Sequence, residues 1–266
     1  MTRHRLLSLV YWAAFGSFAL PLVLIALTSL TQGDIVGFPL GPLGLHWYRA
    51  ALSDPDYRRA FTLSVVLALG SASVAVVAGT WIGLAAASLR SRWAEAALMA
   101  GAVLPLVMPG VIHAVALRIA IQTIGLEPGP TAILLGHAIH ATPYAAIMVR
   151  ARRATLPTEQ LEAAQVFGAG PLATLRLVIV PWLSPALWGA GGLAALTSFD
   201  DFIRSFFLGG YDPTLPVLIL GRLRSGLTPE INAVATLILV VMGLACALVA
   251  RARHLGVGTL TPDVAG

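Results

Sequence analysis

The sequence predicts an all-α, polytopic membrane protein of about six transmembrane helices, and three observations predict it. Hydrophobic residues make up 58% of the 266-residue chain and charged ones only 11%, against about 25% charged in soluble domains. The apolar residues gather into blocks at about 6–30, 61–89, 96–120, 131–149, 182–208 and 232–250, each long enough to cross ~30 Å of hydrocarbon at ~1.5 Å per residue. Arginines and acids fall mostly between the blocks. One membrane domain, residues 1–266, accounts for the whole length.

Arg3 and Arg5 precede the first block, as in a secretory signal, but the apolar core of a signal is only about 7–15 residues, so this block reads as a retained span. The segment 31–60, with LHWYRAALSDPDYRRAF, repeats apolar residues at helical spacing and predicts a short helix on the outer face, with an irregular loop as the alternative. Pro105, Pro109 and Gly110 interrupt the third block. Irregular backbone at membrane depth is tolerated only where protein or a watery cavity surrounds it, so span three, with Pro109 at its break, is a candidate pathway wall; a packing kink is the competing account. In the fourth block His137 and His140 share a helix face at i, i+3, either lining a pathway or packed and hydrogen-bonded. Without a nearby carboxylate or thiolate they make a poor metal site. Asp200 and Asp201, toward the outer end of the fifth block, are costly there and are candidates to attract a cation such as an ammonium group. In a continued helix Arg204 would neutralise one or both. Glu230 and Asn232 read as capping residues before the sixth block, and TLTPDVAG as a frayed tail. The single cysteine, Cys246, can form no internal disulfide.

All 17 basic residues are arginine. The phosphate-cradling loop G-x-x-x-x-G-K-[ST] requires a lysine, so this chain holds no ATP in that way. The excess of base serves membrane orientation rather than nucleic acid, because no arginine run is long or interleaved with aromatics. With the N-terminus inside, the inner side carries ten arginines against four acids, +6, and the outer side seven against eight, −1. Both termini are predicted cytoplasmic. Tyr11, Trp12, Trp47, Tyr48, Trp93 and Trp182 lie near the expected water boundaries, where amphipathic rings concentrate.

On the arginine-rich side, between spans four and five, stands TEQLEAAQVFGAG, residues 158–170. Thr158 is the predicted N-cap, Glu159 suits the positive end of the helix dipole, and Gly168 ends the helix in the left-handed conformation. Gly170-Pro171 then opens a second helix through LATLRLVIV, expected to lie under the membrane until Pro181 and Pro185 introduce the next span. Ala163, Ala164 and Gly168 make a small face beside Glu162, suited to close approach by another protein; an ordinary polar loop is the alternative. Gly168–Ala173 and Gly189–Ala194 match G-x-G-x-x-A, but neither follows a strand in a β-α-β unit, which removes the dinucleotide reading. No H-E-x-x-H or G-x-S-x-G supports a membrane enzyme, and neither midplane ionisable groups nor repeated halves support an ion-coupled transporter.

Glu162-Ala163-Ala164, then Gly168 after three residues, then Val178-Ile179-Val180-Pro181 after nine, resembles the E-A-A-x3-G-x9-I-x-L-P signature of the permease subunits of bacterial ATP-binding-cassette importers. Val178 and Val180 stand where the family more often has Ile and Leu. SFDD at 198–201, the LGG-YDPTLPVLI run and TPEINAVATL at 228–237 are similar to the second permease of the spermidine/putrescine branch, while Leu63-Ser64 departs from the common Asn-Ser. The resemblance spans roughly residues 5–255. It implies a type I importer permease fold in the bacterial inner membrane, and a cytoplasmic coupling loop, 155–181, in which Glu162, Ala163, Ala164, Gly168 and Pro181 meet a separate ATPase. It also implies ATP and Mg on two partner ATPase subunits with no cofactor on this chain, and a second, different permease. A periplasmic binding protein would be received by the outer helix and the loop after span five. The implied substrate is a polyamine, with Asp200, Asp201, Pro109 and His137 as pathway candidates.

Overall fold

The computed structural model describes residues 2–33, 41–226 and 228–257. Asp34, Asp263 and the TLTPDVAG tail lie outside the described residues. The chain forms α1 (Thr2–Thr28), α2 (His46–Ser53), α3 (Pro55–Ser88), α4 (Arg92–Val107), α5 (Gly110–Thr123), α6 (Pro130–Ala154), α7 (Thr158–Val166), α8 (Pro171–Thr174), a π-helical turn (Leu175–Ile179), α9 (Val180–Phe199), α10 (Phe202–Leu208), α11 (Leu215–Arg224) and α12 (Pro229–Val257). A single antiparallel bridge, Thr31 to Leu43, is the β-structure among the described residues. Leu7–Thr28, Pro55–Ser88, Pro130–Ala154 and Pro171–Phe199 are long and apolar enough to cross a membrane. The sixth block lies in α12, whose Pro229–Leu244 portion is a shorter apolar helix.

Several expectations change at the helix ends. The third block is two helices, α4 and α5, bent by 107°. Pro109 has no amide hydrogen to donate and drives the residue before it extended; Met108 accordingly sits at φ −69°, ψ 136°. Pro105, by contrast, stays inside α4. The expected outer helix over 31–60 is confined to α2, because Asp54 is extended and accepts the Asp56 amide at 2.7 Å, so Pro55 onward belongs to α3. The fifth block likewise stops at Phe199 and resumes at Phe202. Finally, the helix expected to lie beneath the membrane is continuous with span five from Pro171 to Phe199. Pro181 would clash in a regular helix with the carbonyl four residues back, and the π turn just before it absorbs that conflict, with the Val180 amide bonding to Leu175 O.

The chain divides into two compact units, Met1–Arg59 with Leu218–Gly266, and Ala60–Val217. In the first, α12 packs on α1 and α2. Asn232 donates to Thr28 Oγ1 at 2.9 Å, and Ser29 shares a 2.6 Å bond with Tyr48. Asn232 therefore joins helices rather than capping one. Arg222 reaches Asp54 at 2.9 Å and Asp56 at 3.4 Å while its guanidinium lies 5.1 Å from the centre of the Tyr57 ring.

In the second unit α6 is the hub, packed against α4, α5, α9 and α10. Its inward face carries Ala132, Gly136, Ala138, Ala141, Ala145 and Ala146, all buried. Ala72 and Ala75 of α3 and Ala194 of α9 meet Ala141 there. Small residues bring backbones together where lipid offers no hydrophobic drive between helices. Gly79 and Gly83 carry this furthest. A Cβ on Gly79 would lie 2.7 Å from Thr142 O, and one on Gly83 2.8 Å from Ala146 O.

Two outcomes test this packing. Gly79→Ala is expected to cost at least about 2 kcal/mol by overpacking, read as a lower thermal midpoint of the detergent-solubilised chain. Gly101→Ala, where nothing lies within 4 Å, leaves the midpoint unchanged or higher. For the Arg222 tie, burial alone would raise the Asp54 pKa, but bonds from the Asp56 amide and Arg222 outweigh it and hold the carboxyl below its ordinary range. The tie's contribution, about 1 kcal/mol or less for a pair this exposed, is complete above the ordinary Asp value and lost as pH falls through the lowered one. The parent midpoint should exceed that of Asp54→Asn at neutral pH by a gap that closes on acidification; a gap that persists in acid counts against the ion pair.

Candidate functional site, two broken spans and an exposed elbow

The helices that follow the two breaks meet. α5, which follows the Pro109 break, packs on α10, which follows the Asp200–Asp201 break, and a Cβ on Gly110 would lie 3.1 Å from Ile203 Cδ1. Arg118 of α5 donates to Phe207 O at 3.0 Å, and the Gly129 amide to Leu208 O at 3.0 Å. The carbonyls that α10 leaves open at its end are thereby satisfied inside protein.

Asp201 is the N-cap of α10. It accepts the Arg204 amide at 3.0 Å and pairs with Arg204 Nε. Because the helix does not continue through residues 200 and 201, Arg204 neutralises Asp201 through the cap and leaves Asp200 aside. Asp201 and Arg204 are each 8% exposed and His137 2%. His137 Nε2 lies 3.8 Å from Asp201 Oδ2 and 3.2 Å from Ser205 Oγ, while Nδ1 is 2.7 Å from Ser198 Oγ. Ser71 donates to Ser198 at 2.8 Å. Ser71, Ser198, His137 and Ser205 thus form one chain of hydrogen bonds with the Asp201 carboxylate beside it. This network ties α3, α6, α9 and α10, and a fully satisfied buried network rigidifies the elements it joins.

The four pathway candidates therefore separate. Asp201 and His137 are brought together inside the bundle. Asp200 and Pro109 are exposed at the two breaks. Among the described residues no ion pair involves the Asp200 carboxylate. His140 neighbours His113, with ring centres 5.9 Å apart, and Tyr144 at 6.2 Å. Among the described residues no three His, Cys, Asp or Glu side chains group as a metal site.

The second region is the elbow between α6 and α9. Helix α7 begins at Thr158 with Pro157 at the cap position and no side-chain cap bond, so Thr158 is the first helical residue rather than the N-cap. Gly168 has φ +78°, and its amide donates to Gln165 O while the Ala169 amide donates to Ala164 O, both at 2.9 Å. This paired closure is the Schellman arrangement that glycine adopts without strain. Glu162 and Ala163 are exposed and Ala164 half-buried, while Pro181 lies in the first turn of α9, away from the bend. The sequence reading missed Val166 and Phe167, exposed at 84% and 89%. Two large apolar side chains offered at one bend form an anchor of the kind that protein interfaces bury; VF beside the closing glycine was the available signal.

Residues 79–255 match the family described as the binding-protein-dependent transport system inner membrane component. The chain is 28% identical over 253 residues to the spermidine/putrescine transport system permease protein PotC of Haemophilus influenzae, covering 94% of this chain and 97% of that one. It is 32% identical over 233 residues to the putrescine transport system permease protein PotI of Escherichia coli, covering 84% and 82%. Among solved structures, a bacterial ABC transporter involved in the import of the acidic polysaccharide alginate superposes with a TM-score of 0.72 at 17% identity, covering 94% of this chain and 98% of that chain. The MetNI methionine ABC transporter superposes at 0.62 and 20% identity, covering 77% and 96%. These likenesses establish the type I importer permease fold. With more than half of its residues matched, the chain belongs to the family of inner-membrane components of binding-protein-dependent transport systems.

Proposed function

We propose that this chain is a permease subunit of an ATP-driven importer that carries polyamines, spermidine or putrescine, across the bacterial inner membrane. In this reading residues 1–266 work as one permease domain with both termini cytoplasmic. It pairs with a second, different permease, with two ATPase subunits that hold ATP and Mg, and with a periplasmic binding protein. Residues 155–181 form the cytoplasmic coupling loop.

The exposed elbow is the observation that supports this reading most. Glu162, Ala163 and Ala164 stand on a short helix with no buried residue of its own, closed by Gly168 in the left-handed region. Such a helix gains little from its own chain, and its surface suits docking in a groove of the ATPase, with Phe167 and Val166 as the apolar part of the contact. Pro181 contributes through the turn that feeds the elbow into span five. The substrate class is supported by the polyamine permeases to which the sequence is similar, since the fold is shared with importers of alginate and methionine. The free carboxylate of Asp200 fits a cationic amine. Asp201 and His137 act here as the frame that holds the Asp200 break open, and Pro109 opens the facing wall.

Two sets of variants test these roles. In the assembled importer, Glu162→Ala and Gly168→Val should still reach the membrane, and spermidine uptake should fall about tenfold or more; a non-glycine residue at Gly168 adds about 1–2 kcal/mol of backbone strain. Unchanged uptake in both removes the docking role. Asp200→Asn should leave expression intact and lower spermidine uptake about tenfold, the scale of one differential ion contact. Asp201→Asn strands a buried guanidinium, which costs about 3–5 kcal/mol, and should reduce the amount of folded protein instead. Calorimetry of the cognate binding protein with spermidine and putrescine checks the substrate class directly; no heat with either sets polyamines aside and leaves the architecture standing.

A further inference from the structure

Among the described residues helix α7 packs chiefly on α8 and the π turn, so a force applied to it has two outcomes. Either the elbow deforms on its own, or the helices on either side of it move. What decides is how the two ends of the elbow are joined: α6 and α9 pack against each other, and at the base of the elbow one pair of side chains bridges them in both directions. Arg152, in the last turn of α6, donates from Nε to Trp182 O at 3.1 Å. Trp182, in the first turn of α9, donates from Nε1 to Arg152 O at 3.3 Å. The Arg152 guanidinium also lies 4.5 Å from the centre of the Trp182 ring system. Each residue thus gives and receives a hydrogen bond and they stack as well, across 30 residues of sequence. Arginine suits this better than lysine, because a planar guanidinium stacks and donates from a fixed fork. Two residues before Arg152, Arg150 pairs with Glu95 in the first turn of α4.

We propose that Arg152 and Trp182 are positioning residues that close the base of the elbow, so that its displacement is delivered to α9 and, through Arg150 and Glu95, to α4. The proposal rests on the coupling reading of the elbow. It makes the elbow a rigid handle: α9 leads to the Asp200 break and α4 to the Pro109 break, so one clamp serves both breaks. This role requires neither residue to touch substrate or nucleotide. Their role is to keep the loop from absorbing the motion.

The test uses the assembled importer reconstituted in liposomes with its binding protein and spermidine, reading ATP hydrolysis and uptake together. Trp182→Ala and Arg152→Ala are expected to keep hydrolysis within about twofold of the parent while uptake per ATP falls about tenfold. Trp182→Phe keeps a ring under the guanidinium, drops only the Nε1 donor, and should recover at least about half of that loss. Parent-like uptake per ATP in Trp182→Ala overturns the proposal. So does a proportional fall of hydrolysis and uptake, which a merely structural role would produce. If Trp182→Ala fails to assemble, Arg152→Lys, which keeps the charge and loses the planar stack, is read in its place with the same criterion. Glu162→Ala separates the two levels. Undiminished uptake in that variant and in Gly168→Val defeats the coupling reading and the clamp with it, whereas a collapse there beside parent-like Trp182 and Arg152 variants defeats the clamp alone.

Discussion

Inside hydrocarbon no water is available to a backbone amide or carbonyl, so each must find its partner within the protein. The two helix breaks, at Pro109 and at Asp200–Asp201, show how this chain meets that demand. At Pro109 the Met108 amide closes one helix on Leu104 O, and the Pro109 carbonyl opens the next on the His113 amide. At Asp200 and Asp201 a carboxylate takes over the free amide at the start of α10, and its charge is held by the arginine that the same cap brings round. Without those substitutes neither break would persist. With them, two irregular stretches of backbone lie close together where α5 packs on α10.

The rest of the second unit follows from bringing these breaks together. α6 can stand at the centre because its inward residues are small, and α3 can lie against it because Gly79 and Gly83 have no side chains. Close backbone contact in turn sets Ser71, His137 and Ser198 within hydrogen-bond distance. A buried polar network of this kind depends on packing that a single added methyl group would disturb, so the geometry around Asp201 reaches as far as glycines that never touch it.

Much of this was legible in the residues. The apolar blocks marked the spans, Gly168 marked the end of the elbow helix, and the E-A-A spacing marked the family. What escaped had physical causes. Periodicity and length do not report bends, so block three read as one span although Pro109 turns it. Pro181 read as the start of a span because a regular helix forbids it there, and no pattern in LRLVI announces a π turn that accommodates it. Asp201 and Asp200 look equivalent in SFDD; only the cap geometry distinguishes the caged acid from the free one. The G-x-x-x-G spacing of Gly79 and Gly83 was present and carries a known packing meaning. The partners of Arg152 and Arg150, by contrast, lie 30 and 55 residues away in the sequence, beyond the reach of any local pattern.

The π turn at Leu175–Ile179 has a geometric consequence for everything beyond it. One surplus residue in a helix rotates all later side chains by about 100° about the axis. A helical wheel drawn straight through residues 171–199 would therefore assign the lipid-facing and bundle-facing sides of α9 wrongly, with Asp200 on the wrong azimuth relative to the bend at Gly170. Deleting one residue from that turn would restore ideal winding and, in doing so, turn the acidic break to a different azimuth about the axis.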